Sequence, residues 1–505
     1  MRALLLRLLL LAGIGVNVAF LLINLKPDRP HFGTRRKARV VLRAGPARAQ
    51  WVKENLLSEF SAAHDVDFDL ISAKTFDEVS TILTAEKEHP TGILLADIND
   101  ELADNLHRAG ALRPIADIAP PGELGPALLE YVPEAVERAR IDGKIWFVPK
   151  RAVIDIAIYL KPAVEDLFLH WEKDRPAIQA ALKEANGVGL PRDYQLAKVP
   201  DAWDWFDLFV AGWYWAHHPA PWADSPGPAP RIAFRTGLNE NALGDMFGTF
   251  FAHGLKEDQV GKLDALPVLD TLQWRALFRK HHLLDPACET PLGIDAFGVN
   301  ALFKARKVAW APIDQADSLW VHGGSRRDAE PGMVGAIDLD WSTMPEGSSL
   351  ELNEAGEPAR RGPSFSLEEI HFWAVPVNSP HPQLAWELSR FLTQRGLHQR
   401  ETEAQGLFPI RRDIADDYPI LFRLDWMQRM LDASYRQAQE GTGDMPDAIN
   451  AEQLDRVYVA LREHVLTQTP VPVTLDGVRR AVASFNRAQA AHVAETPKSE
   501  AAHAR

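Results

Sequence analysis

The chain has 505 residues, 46% hydrophobic and 25% charged, which suits two lobes with a sizeable core and excludes a disordered chain or a polytopic membrane protein. A formal net charge of −14 argues against nucleic acid as the main partner, because phosphate binding needs a basic surface. Cys288 is the only cysteine, so no intramolecular disulfide can form and the thiol is expected to be buried and inert.

The run from Leu8 to Leu25 is apolar over about the length that spans a bilayer, with Arg2 and Arg7 before it and Lys26 after it. Residues 1–26 read as a signal sequence or an uncleaved anchor. The anchor is preferred, since Gly13, Gly15 and Ala19 offer no clean Ala-x-Ala cleavage pattern. Residues 27–37 form a linker in which Arg29, Arg35, Arg36 and Lys37 would, alone, hold the following domain in the cytoplasm. Long domains often override that bias.

Arg39–Ala44 reads as a strand, and Gln50–Ala63 as a helix with Val52, Leu56 and Phe60 on one face. Val66–Ile71 is an alternating strand, Phe76, Val79 and Leu83 mark a second helix, and Gly92–Ala96 is the apolar run of a buried parallel strand. The βαβαβ order predicts a doubly wound half. Asp97, Asn99 and Asp100 follow its third strand, and Gly110–Ile115 ends the next helix. Asp142–Pro149 reads as a further strand, and the alternating Val153–Leu160 carries the chain into a second half. Asp201 is expected to cap a helix opening at Trp203-Asp204, on which Trp205, Phe209 and Trp213 make a buried stripe. Trp222 falls in a proline-rich loop.

Val308–Pro312 follows Phe303-Lys304 as another alternating strand, and Ser342–Ser364 reads as a long loop. From Glu369 come a buried strand with Val375 and Val377, a break at Asn378-Ser379-Pro380, and a helix carrying Leu384, Leu388, Phe391 and Leu392. A proline-fixed return, Gly406–Asp413, closes the segment. Asp447–Asn486 holds two amphipathic helices, and residues 488–505 form an alanine-rich tail expected to be disordered.

In this order the motifs resemble the extracellular solute-binding proteins of ABC importers, in the carbohydrate-binding, maltose-binding-protein-like group. The residues that carry the resemblance are Asp142-Gly143-Lys144 with Trp146 and Pro149, Pro200 with Trp203-Asp204, and Phe303-Lys304. With them stand Asn378-Ser379-Pro380-His381-Pro382 with Ala385-Trp386-Glu387, and Gly406 with Pro409 and Arg411. Ala202 stands where the family has threonine. The resemblance implies an α/β fold of two periplasmic-binding-protein-like lobes, each a sheet flanked by helices, joined by crossing hinge segments. Lobe 1 would be 38–152 plus 373–408 and lobe 2 would be 153–372 plus 409–487. It implies a monomer, extracytoplasmic and without enzymatic activity, that captures a small solute, a sugar or oligosaccharide, for a membrane permease. A sensory or scaffolding relative and a carbohydrate-active enzyme are the alternatives, and no motif singles out the carboxylate pair an enzyme would need.

Ligands of such proteins sit between the lobes, where sugar faces want aromatic plates and hydroxyls want charged or amide groups. Trp310, Trp320 and Trp373 are the candidate plates, with core packing as the competing reading for Trp310 and Trp373. Asp97, Asn99 and Asp100 lie at the carboxyl end of a strand, where open α/β sheets bind ligands, although Asn99 or Asp100 also suits a helix cap. Lys150 and Arg151 at the hinge and Arg43 at the end of the first strand complete the set. No metal or cofactor is implied: His217-His218 and His281-His282 lack ligand spacing, and Thr343 and Ser349 spoil the calcium-loop likeness at Asp338.

Overall fold

The computed structural model describes residues 36–219, 230–236, 240–290, 293–322, 338–443 and 451–495. The leader, most of the linker and Trp222 therefore lie outside the described residues. Among the described residues no helix is long and apolar enough to cross a membrane.

The first lobe is built on β1 (Arg36–Arg43), β2 (Val66–Ala73) and β3 (Ile93–Asn99), parallel in the order β2-β1-β3. β3 is buried at every position, as a strand covered on both faces must be. The helix between β1 and β2 starts at Pro46, where a missing N–H costs nothing, and passes through a π turn at Lys53–Leu57. After helix Asp100–Arg108 come β4 (Leu112–Arg113) and a tight hairpin of β5 (Arg140–Ile141) and β6 (Lys144–Ile145). Asp142 and Gly143 turn it with φ of 50° and 75°, so the single strand expected from Asp142 is a hairpin arm followed by a new strand.

That new strand, β7 (Val148–Leu160), joins the halves. From Val148 to Ile154 it runs antiparallel to β11 (Ser366–Pro376); from Asp155 onward it pairs with β9 (Val308–Asp314) and β10 (Leu339–Ser342). β8 (Arg231–Ile232) flanks β9, β11 lies antiparallel to β3, and β12 (Thr442–Gly443) borders the start of β11. The path β2-β1-β3-β11-β7-β9-β8 thus runs through both sheets. A third passage returns beside them: Ala152 donates to the Phe408 carbonyl at 3.2 Å, and Val132 to that of Ile410 at 2.9 Å.

Helix Trp205–His217 is capped by Asp204, which accepts from the amides of Phe206 at 2.8 Å and Asp207 at 3.1 Å, while Asp207 accepts the Asp204 amide at 3.1 Å. Asp201 is not the cap. It sits in a 3-10 turn ahead of the helix and instead accepts from Arg436 at 2.9 Å and the Thr343 amide at 3.1 Å. The long loop after β10 is pinned through Ser348, whose carbonyl accepts the Trp274 indole N–H at 2.6 Å. Helices Glu240–Ala252, Leu266–Lys280, Ala451–Leu466 and Leu475–Glu495 share a second apolar core around Phe247, Phe250, Leu272, Leu461 and Val482. The last helix continues to Glu495, past Ala488 where the sequence suggested a tail.

Candidate ligand-binding cleft

The strand ends of the first lobe meet β7 and β11 where the pairing changes partner, and charged side chains collect there. Asn99 caps helix Asp100–Arg108 through the Leu102 amide at 3.0 Å, and Asp100 accepts from Arg138 at 2.7 Å and the Ile370 amide at 3.1 Å. These two tie β3 to β11. Asp97 is 1% exposed and meets Lys150 Nζ at 2.5 Å and His371 Nδ1 at 3.2 Å. Burial pushes its carboxyl up, but Lys150, then His371 and Arg151, outweigh that and hold it well below the usual range. Lys150 lies 4.3 Å from the Trp373 ring centroid, and burial, opposed by Asp97, lowers its ammonium to about 8.

Arg151 and His371 are cross-strand partners on β7 and β11, with Arg151 Nη2 3.1 Å from His371 Nδ1. His371 Nε2 lies 2.9 Å from Glu369 and its Nδ1 3.2 Å from Asp97, so the ring stands between two carboxylates with the Arg151 guanidinium beside it. Burial, with Arg48 next, depresses the Arg151 guanidinium to about 10. Arg43 is partly buried over the Phe76 ring, 5.2 Å from its centroid.

The second lobe answers with carboxylates. Arg235, 2% exposed, binds Asp245 at 3.0 Å through Nε, Asp155 at 2.6 Å and Asp314 at 2.7 Å. Asp155 and Asp314 face each other in the β7–β9 pair. Burial drives Asp155 well up against the pull of Arg235, with Asp314 adding repulsion, whereas Asp314 is held down by Arg235 and by its hydrogen bond to Asp155. Burial and then Asp314 raise Asp317 to about 7. Arg43, from the first lobe, stands close enough to Asp314 and Asp317 to lower both, and to lower Glu369.

Several buried polar atoms here have no well-formed hydrogen bond within the protein: Nε of Arg43 and of Arg151, Oδ1 of Asp155, and both amide atoms of Asn300, which lies beside Asp317. They come from both lobes. Such atoms are rare in native proteins, and each calls for a partner.

Of the sequence candidates, Arg43, Asp97, Lys150, Arg151 and Trp373 come together, while Asn99 and Asp100 serve the adjoining helix. Trp310, 1% exposed, stands edge-on to Phe234 with centroids 5.6 Å apart, the packing alternative. Trp373 is likewise buried, under the Lys150 ammonium. Trp320 falls in the short helix Ser318–His322. His217 stacks on Trp213 and His218 binds Asp174 at 2.7 Å, and Cys288 is buried, its thiol pushed up to about 12 by burial. Glu369, His371, Asp155, Asp314, Asp317, Asn300 and Arg235 were not foreseen. Glu369 and His371 alternate on a strand that was read correctly, and Asp314 follows the strand Val308–Pro312, so strand-end position was the available signal. Arg235 and Asn300 had none.

The two sheets and the strand passages between them define the two-lobe periplasmic-binding-protein fold. No protein-family model and no curated protein sequence matches the chain. Solved structures do. Maltose-bound MalE3 of T. maritima is 14% identical, with a TM-score of 0.60, over 89% of this chain and 99% of that one. A tagatose-bound ABC transporter solute-binding protein of Thermotoga lettingae is also 14% identical, with a TM-score of 0.61, over 90% and 99% of the two chains. The maltotriose-binding protein of Thermus thermophilus has 14% identity and a TM-score of 0.58 over 89% and 99%.

Proposed function

We propose that the protein is a solute receptor: it captures a small polar molecule, of the sugar or oligosaccharide class, between its lobes and passes it without chemical change to a membrane permease. The observation that carries this reading is that elements of both halves hold buried polar atoms without a well-formed hydrogen bond, Nε of Arg43 and of Arg151 in one and Oδ1 of Asp155 and the amide of Asn300 in the other, with Arg43 acting across on Asp314 and Asp317. Hydroxyls donate and accept at once, so a polyol suits a wall that offers guanidinium donors, carboxylate acceptors and an amide together. That the fold is shared with receptors bound to maltose, maltotriose and tagatose supports a sugar as the class. Arg43, Asp97, Lys150 and Arg151 then belong to the site, with Glu369, Asp314, Asp317 and Asn300 added. Trp373 acts as the support on which Lys150 rests. An extracytoplasmic location with an uncleaved amino-terminal anchor follows from the same reading and from the apolar run at Leu8–Leu25.

Thermal-shift and tryptophan-fluorescence titrations with mono- and oligosaccharides, polyols, amino acids and polyamines test it. A saturable response to one carbohydrate, with the sugar recovered unaltered, is expected. Silence toward every carbohydrate beside a clear response to another class ends the sugar reading.

A further inference from the structure

In the second lobe lies a cavity of about 30 Å³ between helices Leu266–Lys280 and Ala451–Leu466. A smaller one of about 10 Å³, which reaches the far side of Arg235, adjoins it, and Arg275 and Arg462 line both. Each arginine is 7% exposed. Arg462 bonds only its chain neighbour, Glu463 Oε1, at 3.0 Å. Among the described residues the Arg275 side chain has no ion pair and no hydrogen bond; its guanidinium is stacked 3.5 Å from the Phe234 ring centroid. Asp245, the carboxylate that acts on it most, is already committed to the side chain and the amide of Arg235. Burial, opposed by Asp245, lowers the Arg275 guanidinium to about 10.

A guanidinium this deep without a counter-charge is costly, and an aromatic face offsets only part of the lost hydration. The other charges of the lining are matched: Glu289 pairs with Arg279 at 3.0 Å and Glu463 with Arg462 at 3.0 Å. Arg275 is left as the cation of the cavity that no lining carboxylate compensates. A volume of about 30 Å³ admits two or so water-sized groups, enough for the head of a small oxyanion but not for a sugar ring. We propose that this cavity is a second binding site, separate from the interlobe cleft, that takes a phosphate or carboxylate group between Arg275 and Arg462. The planar guanidinium of Arg275 suits paired hydrogen bonds to two oxygens of such a group.

The full-length chain is titrated with inorganic phosphate, sulfate and acetate, each against sodium chloride at matched ionic strength, with unfolding temperature and calorimetric heat as readouts. At least one oxyanion should raise the midpoint saturably by about 2 °C or more relative to chloride. The rise should vanish in Arg275→Gln and in Arg462→Gln, and persist in the cleft variant Arg151→Gln. Arg275→Lys, a milder change that keeps the charge but not the fork, should weaken apparent affinity several-fold if Arg275→Gln does not fold. Midpoints that follow ionic strength alone would overturn the proposal. So would a saturable shift that survives Arg462→Gln, or one abolished by Arg151→Gln, which would assign the anion to the cleft.

Discussion

Asp97 and Lys150 show how one residue's role depends on its neighbour. Both are almost wholly buried, 2.5 Å apart, and removal of either partner leaves an uncompensated charge. Asp97→Ala should therefore cost about 3–5 kcal/mol in urea unfolding, and the double change to Asp97→Leu with Lys150→Met considerably less. If the single and double variants are equally unstable, the pair is not what Asp97 serves. Asp317 gives the complementary case of a carboxyl pushed up. Its folded value of about 7 lies above the ordinary 3.8, so the folded state holds the proton more tightly and is favoured at low pH. Between about pH 4 and pH 7 that advantage is progressively lost as the group ionises beside Asp314. Asp317→Asn should then gain stability relative to the parent as pH rises from 5 to 8, by about 1–3 kcal/mol overall. A pH-independent difference between the two proteins would refute this. None of this was legible in the sequence. Asp97 and Lys150 could be named from strand-end and hinge positions, but their pairing depends on β3 and β7 being separated only by β11, a non-local fact.

At the scale of elements, apolar period and punctuation carried most of the information. The strands at Arg39, Val66, Gly92 and Val308 emerge within a few residues of where alternation placed them, and the helix after Pro380 buries Leu384, Leu388 and Leu392 as its spacing requires. Errors fell where a local choice had two good answers. Asp201 and Asp204 both suit a cap, and the capping box with Asp207 decides for the second; Asp204→Ala should cost about 1 kcal/mol. The Asp142-Gly143 turn was legible as glycine-bearing but not as a hairpin. In the loop after β10 the backbone itself sets the constraint: a Cβ on Gly347 would lie 1.8 Å from the carbonyl oxygen of Ala252, and one on Gly362 would lie 1.9 Å from it. Backbone cannot yield as a flexible side chain does, so Gly347→Ala should destabilise by about 1–3 kcal/mol or more. Gly396→Ala, with nothing within 4 Å, serves as the neutral control. Equal stability of the two variants would show that the loop is free to lift away from helix Glu240–Ala252.

Across the whole molecule, the feature that bears on how the halves sit together is the pull of Arg43, on the first lobe, on Asp314 and Asp317 of the second. The first lobe presents Arg43 and Arg151 beside Asp97 and Glu369, and the second presents Asp314, held down by Arg235, beside Asp155 and Asp317, which burial pushes up. The pull of Arg43 favours the shut arrangement even before a solute arrives, and a solute that satisfies both lobes adds to it. By linkage, the solute shifts the open–shut balance only by the difference in its affinity for the two states. Arg43→Glu reverses the sign at a first-lobe side chain that acts on both Asp314 and Asp317, and like charges so placed cost several kcal/mol. The variant should scatter X-rays with a larger radius of gyration than the parent, lose most of its solute affinity, and recover compactness as pH falls and the facing carboxyls take up protons. An Arg43→Glu protein as compact as the parent at neutral pH would mean that the strand passages alone hold the lobes together, and that charge across the cleft plays no part in its closure.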